Sequence, residues 1–439
     1  MKALRMAHLT GAARRLAAAC ERAPERPFLL AVFLAACALV VSRRPDALLN
    51  PQFYFEDGAY WYADAHNLGG FQALLLTYRG YFSFIQRLGG LLALAVPLAW
   101  APLVFNLIAL VVESLPAIVL ASRRFAPLVP RREARLGLAF LYVATPGIWG
   151  TILNLTHAQW HLATLSCLVV LAAPAPNRAW RAFDVTALVI SGLTGPTCLF
   201  LAPIAAIVWY SRRDRWSGVL LALVAATACV QAACLYFVAP PIESHAPLGA
   251  SLPLFLRLVA QRLIYAVFLG QHASAGLLAQ GAGALSTSIA VVAAAATGLA
   301  ILAYAVLRGP LELKLFIAFG AAVLGSALCW PVPMSSTAIG YWETLILPGA
   351  HTRYFYTLTL ALIVTLVWMF ARAGSRFARG LGAIGLAVAI LCAVRVDWRE
   401  PPYRDFRFEE YVEKYDRAAP GERVQIPTPP GWSMILTKR

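Results

Sequence analysis

The sequence predicts an all-α polytopic membrane protein with about 11 transmembrane helices, because apolar runs long enough to cross a bilayer recur along the chain. Of the 439 residues, 60% are hydrophobic and 13% are charged, a composition that excludes a soluble globular fold. Short groups of lysine and arginine separate many of the apolar runs. Basic residues in such positions set the orientation of membrane proteins.

The formal net charge of +16 would suggest nucleic-acid binding in a soluble protein. Here the basic residues lie in clusters between apolar segments, which is typical of topology determinants and of contacts with anionic lipids. We therefore expect the lipid bilayer, and not nucleic acid, as the partner of these charges. Most of the eight cysteines fall inside apolar segments, which argues against a disulfide framework or a thiolate metal site.

The amino-terminal part of the chain divides into a basic segment, a span and a loop. Residues 1–26 interleave arginine and lysine with alanine and leucine, which predicts an amphipathic segment on the cytoplasmic leaflet. The transmembrane region is expected over 27–394, with its first span at 27–42. The first outer loop, 43–99, follows and ends in a surface-lying helix at 88–98.

The later spans are predicted from apolar runs and from their interruptions. Between Asp184 and Tyr210 the apolar run is too long for one helix and is cut at Thr194-Gly195-Pro196, so two short helices are expected there. The second large outer loop is 239–286, with an interfacial helix around Leu252–Leu269. The other spans are expected at about 100–121, 136–153, 160–174, 216–238, 287–307, 311–329, 354–371 and 380–394.

The carboxyl-terminal segment, 395–439, is polar and proline-rich at its end, which predicts a small folded appendage. Lysine and arginine are concentrated on the side that holds the amino terminus, so this side is expected to be cytoplasmic. The predicted location is a bacterial inner membrane, crossed many times. The first outer loop and the carboxyl-terminal tail would then be periplasmic.

The most informative stretch is Phe53–Arg87, which places charged residues among many aromatic rings directly after the first span. Partial desolvation by Tyr60 and Trp61 would raise the pKa of a carboxylate at the lipid–water boundary toward the range of a general base. Asp57 is the preferred base, and Glu56 would orient it or a hydroxyl group. In the alternative interpretation, Glu56-Asp57 caps a helix that begins at Gly58.

An acidic pair in an aromatic first outer loop resembles the signature of the GT-C class of integral-membrane glycosyltransferases. The Gly-Pro-interrupted span pair, the turn at Asn154–His161 and Arg353-Tyr354-Phe355 also resemble features of bacterial members. The resemblance implies a polyprenyl-phosphate sugar donor, a periplasmic glycan, lipid or protein acceptor, and a carboxylate base at Asp57 or Glu56. In some relatives such a carboxylate helps to hold a divalent metal, so Mg or Mn is a candidate cofactor with unknown ligands.

Several other residues are candidates for substrate binding in the outer loops. Arginine suits a departing phosphate through its planar fork of donors and its permanent charge. Two histidines four residues apart are compatible with a metal, but hydrogen bonding to sugar hydroxyls is preferred because a nearby third ligand is lacking. Both histidines are expected to be superficial. The candidates are Arg79, Arg262, Arg353, His157, Gln159, His161 and Glu343.

Three other functions remain open from the sequence: a transporter, and two enzymes of another type. A flippase or transporter for a lipid-linked glycan would show repeats and ionisable groups near the bilayer midplane. A glycan polymerase would keep its main functional arginines in late outer loops, so dependence on Arg353 with a dispensable Asp57 would favour it. A membrane acyltransferase would need a deep, essential histidine.

Overall fold

The structure is a computed structural model that describes residues 24–238, 247–274, 285–330, 339–347 and 351–439. Nearly all of the predicted basic segment 1–26 lies outside the described residues. Parts of the predicted second outer loop, 239–246 and 275–284, also lie outside them.

Most of the described chain is helical, as expected for an all-α membrane protein. Alanine, leucine and valine dominate the long helices, and most turns between them contain proline, glycine or charged residues. The long helices are Glu25–Arg43, Ala101–Ala121, Arg132–Val143, Ala158–Leu171, Arg178–Thr194, Cys198–Arg212, Arg215–Phe237, Leu285–Arg308, Leu311–Cys329, Tyr356–Arg372 and Arg376–Val388, which continues as Ala389–Val394.

Shorter elements cluster between the long helices. The helices are Asp46–Leu49, Asp57–Tyr62, Ala63–Leu68, Gly70–Leu74, Phe84–Ala93, Leu98–Trp100, Arg123–Phe125, Leu252–Leu258, Val259–Tyr265, Ala266–Leu269, Tyr341–Thr344, Thr352–Tyr354 and Phe408–Arg417. Two antiparallel hairpins that the sequence did not predict pair Thr77–Tyr78 with Tyr81–Phe82, and Arg423–Thr428 with Trp432–Thr437. The second pair is the C-terminal hairpin, and its register aligns Arg423 with Thr437.

Within the described residues, seven helices are long and apolar enough to cross a membrane. Six of them coincide with predicted spans. The seventh is Leu252–Leu269, which the sequence predicts as an interfacial helix. Three further apolar helices, among them Tyr356–Arg372, have 10–17 residues. The chain is therefore a multi-pass membrane protein by length and composition, and the count of eleven spans stays a prediction.

The break in the middle of the chain is confirmed, since helices Arg178–Thr194 and Cys198–Arg212 meet at Gly195-Pro196. The predicted span 136–153 is wrong beyond residue 143. Its helix ends at Val143, shortly before Pro146, and Gly147 and Gly150 take positive φ angles of 72° and 81°. Proline and left-handed glycine cannot continue a helix, so residues 144–157 form an irregular segment.

The helix bundle has a basic end, which gathers many of the arginines. There Arg124 makes two hydrogen bonds to Asp184, at 2.6 and 2.9 Å. Arg212 donates to the backbone carbonyls of Leu171 and Ala172 at the end of a neighbouring helix. The Arg212 bonds place positive charge at the carboxyl end of helix Ala158–Leu171, an arrangement that the helix dipole favours.

The opposite end, here called the loop end, holds the acidic stretch and the carboxyl-terminal tail. After helix Ala389–Val394 the chain passes the end of the first span, where Glu400 N–H donates to the Arg43 carbonyl at 3.0 Å, and Phe406 N–H then donates to Gln52 at 2.9 Å. The tail then forms helix Phe408–Arg417 and the C-terminal hairpin. Because the tail bonds to Arg43 at the end of the first span and to Gln52 in the first outer loop, the tail and that loop lie on the same side of the bundle.

Candidate functional site

The irregular segment 144–157 lies buried at the loop end, where its backbone N–H groups need hydrogen-bond acceptors. Carboxylates from three distant parts of the chain supply them. The hydrogen bonds run from Gly147 to Asp397 at 3.2 Å, from Gly150 to Glu400 at 3.0 Å, from Leu153 to Glu113 at 2.8 Å and from Leu155 to Asp57 at 3.1 Å. Four acidic side chains thus hold one non-helical segment in place.

Asp57, the predicted base, is one of these four supports. Its side chain is 1% exposed, and it accepts hydrogen bonds from the Leu155 N–H and from the Thr156 hydroxyl, the latter at 2.9 Å. Burial raises the pKa of Asp57 to about 8, although these hydrogen bonds work in the opposite direction. At neutral pH a carboxyl with this pKa is largely protonated, so Asp57 is poorly suited to accept a proton.

Glu56 is the partly desolvated carboxylate among aromatic rings that the sequence predicted Asp57 to be. Its carboxylate is half-buried and accepts a hydrogen bond from the Tyr78 hydroxyl at 3.3 Å. Arg79 donates through Nε to the same hydroxyl at 3.2 Å. Burial lowers the pKa of Arg79, but Tyr78 and the Glu56 carboxylate outweigh burial, so the net pKa is raised. Glu56, Tyr78 and Arg79 therefore form one electrostatically coupled group.

A tight hairpin turn explains how Arg79 reaches this position. Arg79 and Gly80 join the two short strands with φ angles of 51° and 82°. Positive φ at both turn residues is the geometry that two-residue hairpin loops favour. Gln231 holds the second strand by accepting from the Phe82 N–H at 2.9 Å and donating to its carbonyl at 3.1 Å. The exposed Arg79 side chain thus stands on a braced turn.

The charges of three arginines, Arg353, Arg262 and Arg79, act on His351, and we call these four residues the arginine cluster. Arg353 donates to His351 Nδ1 at 3.3 Å. Burial and, in decreasing order, the positive charges of Arg353, Arg262 and Arg79 together lower the pKa of His351 to about 4. His351 is therefore neutral at pH 7. Burial lowers the pKa of Arg353, but Tyr354 and then the Glu56 carboxylate raise it, so the net pKa is raised and Glu56 interacts electrostatically with the arginine cluster.

Arg262 reaches the arginine cluster from helix Val259–Tyr265 and also braces a loop. It donates through Nε to the Leu345 carbonyl at 2.8 Å and through its terminal nitrogen to the Leu347 carbonyl. Glu343, predicted as an acceptor contact, is exposed and accepts the Gly340 N–H at 3.2 Å, which caps helix Tyr341–Thr344. The acceptor role of Glu343 stays a prediction.

Tyr60 and Trp61 differ in exposure although they are adjacent. Tyr60 is 38% exposed, and its ring centre lies 4.8 Å from that of Tyr78, so it borders the site. Trp61 is 2% exposed, donates to the Thr156 hydroxyl at 3.2 Å and lies beneath the Arg87 guanidinium at 4.8 Å. Trp61 therefore supports the core, and Tyr60 is available to a ligand.

The two histidines are buried, so the expectation that they are superficial is wrong. His157 Nδ1 lies 2.8 Å from Asn154 Oδ1, and burial lowers its pKa far below the ordinary value. His161 is buried as well, where its Nε2 donates to the Thr151 carbonyl and its Nδ1 accepts from the Tyr356 hydroxyl at 3.1 Å. The Tyr142 hydroxyl also lies 2.8 Å from this Nδ1 and donates its proton to the Glu113 carbonyl. Both His161 nitrogens are thus engaged in holding helices together.

Gln159 lies beside the Gly-Pro break. A methyl group added at Gly195 would lie 2.9 Å from the Gln159 amide oxygen, so the two residues are in close contact. Trp160 continues this connection, because its ring packs edge-on against Tyr354 with centres 5.5 Å apart. The break, Gln159 and the arginine cluster are therefore neighbours through Trp160 and Tyr354.

The acidic pair does not converge on a common point that a divalent cation could occupy. Asp57 is directed at Leu155 and Thr156, whereas Glu56 is directed at Tyr78. Among the described residues, no group of three histidine, cysteine or acidic side chains has the arrangement of a metal site. Participation of Mg or Mn stays a prediction, and none of the steps below depends on a metal.

The sequence predicted Glu56, Arg79, Arg262, Arg353 and Tyr60 as site residues. It did not indicate roles for Tyr78 or His351. Both stand within the aromatic strings that flank the arginines, and this was the signal available. The acidic residues of the tail, Asp397 and Glu400, carried no comparable signal. No model of a known protein family matches this chain, and no curated protein sequence matches it at a significant level.

Proposed function

We propose that this protein transfers a glycosyl group from a polyprenyl-phosphate sugar to a glycan, lipid or protein acceptor outside the cytoplasm. The observation that carries the proposal is the hydrogen-bonded chain from the Glu56 carboxylate through the Tyr78 hydroxyl to Arg79, at 3.3 and 3.2 Å, beside the positive charge of Arg353. Transfer from a lipid phosphate needs a base for the acceptor and positive charge for the leaving group. Glu56 offers the base and the two arginines offer the positive charge, within a membrane protein.

In the proposed reaction, Glu56 accepts the proton of an acceptor hydroxyl while the acceptor oxygen forms a bond to C1 of the donor sugar. The bond between C1 and the phosphate oxygen breaks, and its electron pair stays on the polyprenyl phosphate. Arg353 and Arg79 stabilise the negative charge that develops there, because guanidinium groups offer paired donors to phosphate oxygens. Displacement from the opposite face inverts the configuration at C1.

Asp57 acts in this proposal as a positioning residue. Its bonds to Leu155 and Thr156 fix the start of the turn that carries His157, Gln159 and Trp160. Trp160 packs on Tyr354, which follows Arg353 directly. Asp57 thus supports the arginine cluster indirectly, through Trp160 and Tyr354. Of the acidic pair, Glu56 reacts and Asp57 is structural.

The test is a transfer assay on the full-length protein in lipid nanodiscs, with a panel of polyprenyl-phosphate sugars and released polyprenyl phosphate as the readout. Glu56→Gln should lower the rate by about 10²–10⁴-fold, the usual contribution of a general base. Glu413→Gln is the matched control, because Glu413 is 68% exposed on the tail helix and bonds only to neighbouring Arg417 in the described structure. Unchanged turnover by Glu56→Gln, or no turnover of any donor by the wild type, contradicts the proposal.

A further inference from the structure

A cleft of about 360 Å³ lies between the C-terminal hairpin and two short helices, Asp57–Tyr62 and Ala63–Leu68, which we call the acidic helices. Its size is at the lower end of the range for small-molecule sites, and it suits a ligand of about disaccharide size. One wall comes from helices Asp57–Tyr62 and Ala63–Leu68, and the other comes from the two strands of the hairpin. The polar and aromatic lining residues are Tyr60, Asp64, Asn67, Arg423, Trp432 and Ser433.

The two walls are held at a fixed distance by hydrogen bonds. Asn67 donates to the Ile435 carbonyl at 2.8 Å and accepts from the Thr437 N–H at 2.9 Å, so it pairs with the hairpin as a strand would. His66 Nε2 lies 3.1 Å from the Thr437 carbonyl. A cleft braced in this way is formed before a ligand arrives, which reduces the entropy cost of binding.

The lining combines aromatic faces with hydrogen-bonding groups, which is the chemistry that recognises carbohydrate. Tyr60 and Trp432 have ring centres 6.2 Å apart, and Phe55 fixes Trp432 from behind with an edge-on contact at 5.2 Å. Aromatic rings stack on the apolar C–H faces of sugars, while carboxylate, guanidinium and hydroxyl groups bond to the sugar hydroxyls. Asp64 is oriented for this by its 2.5 Å contact with Arg87.

The cleft adjoins the proposed site of transfer through Tyr60, which lines the cleft, whereas Tyr78 and Glu56 lie beyond its lining residues. Tyr60 contacts Trp432 on one side and Tyr78 on the other, with ring centres 4.8 Å apart in the second pair. The Tyr78 hydroxyl in turn donates to Glu56. A saccharide lying along Trp432 and Tyr60 therefore ends close to the Glu56 carboxylate.

We propose that the cleft lined by Tyr60 and Trp432 binds the saccharide portion of the acceptor and directs its terminal hydroxyl toward Glu56. This assignment as an acceptor site rests on the proposed transfer activity. It makes the carboxyl-terminal tail part of the substrate site, since the tail supplies Trp432, Ser433 and Arg423. The acceptor is then a glycan or glycolipid with at least two sugar units.

The experiment measures saccharide binding directly, by saturation-transfer NMR on the full-length protein in nanodiscs. The probes are short oligosaccharides of neutral hexoses, of N-acetylhexosamines and of uronic acids. At least one class should bind the wild type, and Trp432→Ala and Tyr60→Ala should each weaken that binding by about 10-fold or more. Trp330→Ala is the matched control, because Trp330 is 71% exposed and does not line the cleft.

Tyr60→Ala and Trp432→Ala alter opposite walls, so misfolding of the hairpin alone cannot account for a loss in both. Undiminished binding by both variants, or no binding of any probe by the wild type, overturns the inference. Transfer activity with an acceptor KM unchanged in Trp432→Ala removes the cleft assignment and leaves the proposed function standing. Saccharide binding that depends on both rings, in a protein that transfers no sugar, removes the proposed function and retains the binding site.

Discussion

The Asp57 carboxylate accepts the backbone N–H of Leu155 at 3.1 Å, across 98 residues of sequence. Leu155 belongs to the irregular segment whose other buried N–H groups bond to Glu113, Asp397 and Glu400. Glu56, the residue before Asp57, is directed instead at Tyr78 and interacts with the arginine cluster. Adjacent carboxylates at the start of one helix therefore serve different purposes, and substitutions can separate them.

Asp57→Asn should have a small effect at pH 7, because the neutral amide resembles the protonated carboxyl group. Asp57→Ala removes both hydrogen-bond acceptors and should cost about 1–3 kcal/mol of stability. Both effects are measured as shifts in thermal unfolding in nanodiscs. If Asp57→Asn abolishes transfer without any change in unfolding, Asp57 is a catalytic base as the sequence first suggested.

The pH dependence of stability gives a second test of Asp57. Its pKa is about 8 in the folded protein against an ordinary value of 3.8. The stabilising contribution is complete below pH 3.8 and is lost as the pH rises to about 8, since the unfolded chain ionises first. Asp57→Asn should therefore show a smaller loss of stability than the wild type between these pH values. Identical pH profiles for the two proteins would contradict the assignment.

Arg353 tests the leaving-group part of the mechanism. Arg353→Lys keeps the charge but loses the planar fork, so kcat/KM for the donor should fall by about 10-fold or more, and Arg353→Gln should lower it further. Arg417→Gln is the control, because Arg417 lies in an exposed pair on the tail helix. Loss of activity in Arg353→Gln together with full activity in Glu56→Gln would favour a glycan polymerase.

The long helices and the break at Gly195-Pro196 could be predicted because their signals are local. Apolar runs of span length and a proline that cannot continue a helix are visible in the sequence itself. The early end of helix Arg132–Val143 was also marked by Pro146 and two glycines, but the apolar run beyond them suggested a longer span. A buried irregular segment needs distant acceptors, and Glu400 lies 250 residues from Gly150.

The division of labour between Glu56 and Asp57 could not be predicted for a similar reason. Both residues have the same charge and the same neighbours in sequence, and their directions are set by Tyr78 and Leu155 after folding. The contribution of the tail to the cleft could not be predicted either, since Asn67 bonds to a hairpin residue 368 positions away in sequence. Composition predicted a folded tail but contained no information about where it binds.

Glu400→Gln should strongly destabilise the protein. Its carboxylate pairs with Arg44 at 2.9 Å, and the side chains of both residues are at most 2% exposed. Removing one member of a buried ion pair costs about 3–5 kcal/mol, and in Glu400→Gln the buried Arg44 charge would keep only the longer contact with Asp46 at 3.6 Å. Glu410→Gln is the control, because its pair with Arg407 is solvent-exposed. Equal unfolding temperatures for the two variants would show that the Arg44 pair does not stabilise the loop end.

Gly58→Ala should loosen the docking of the tail on the acidic helices. A methyl group at position 58 would lie 2.9 Å from the Phe53 side chain and 3.1 Å from the Thr428 methyl group, so the helix must move away from both Phe53 and the hairpin. Overpacking of this kind costs about 1–3 kcal/mol. Limited trypsin digestion should therefore cut the tail faster in Gly58→Ala than in Gly374→Ala, where the added methyl group meets no atom within 4 Å. Equal digestion rates would mean that the hairpin packs elsewhere, and the cleft beside Trp432 would lose its second wall.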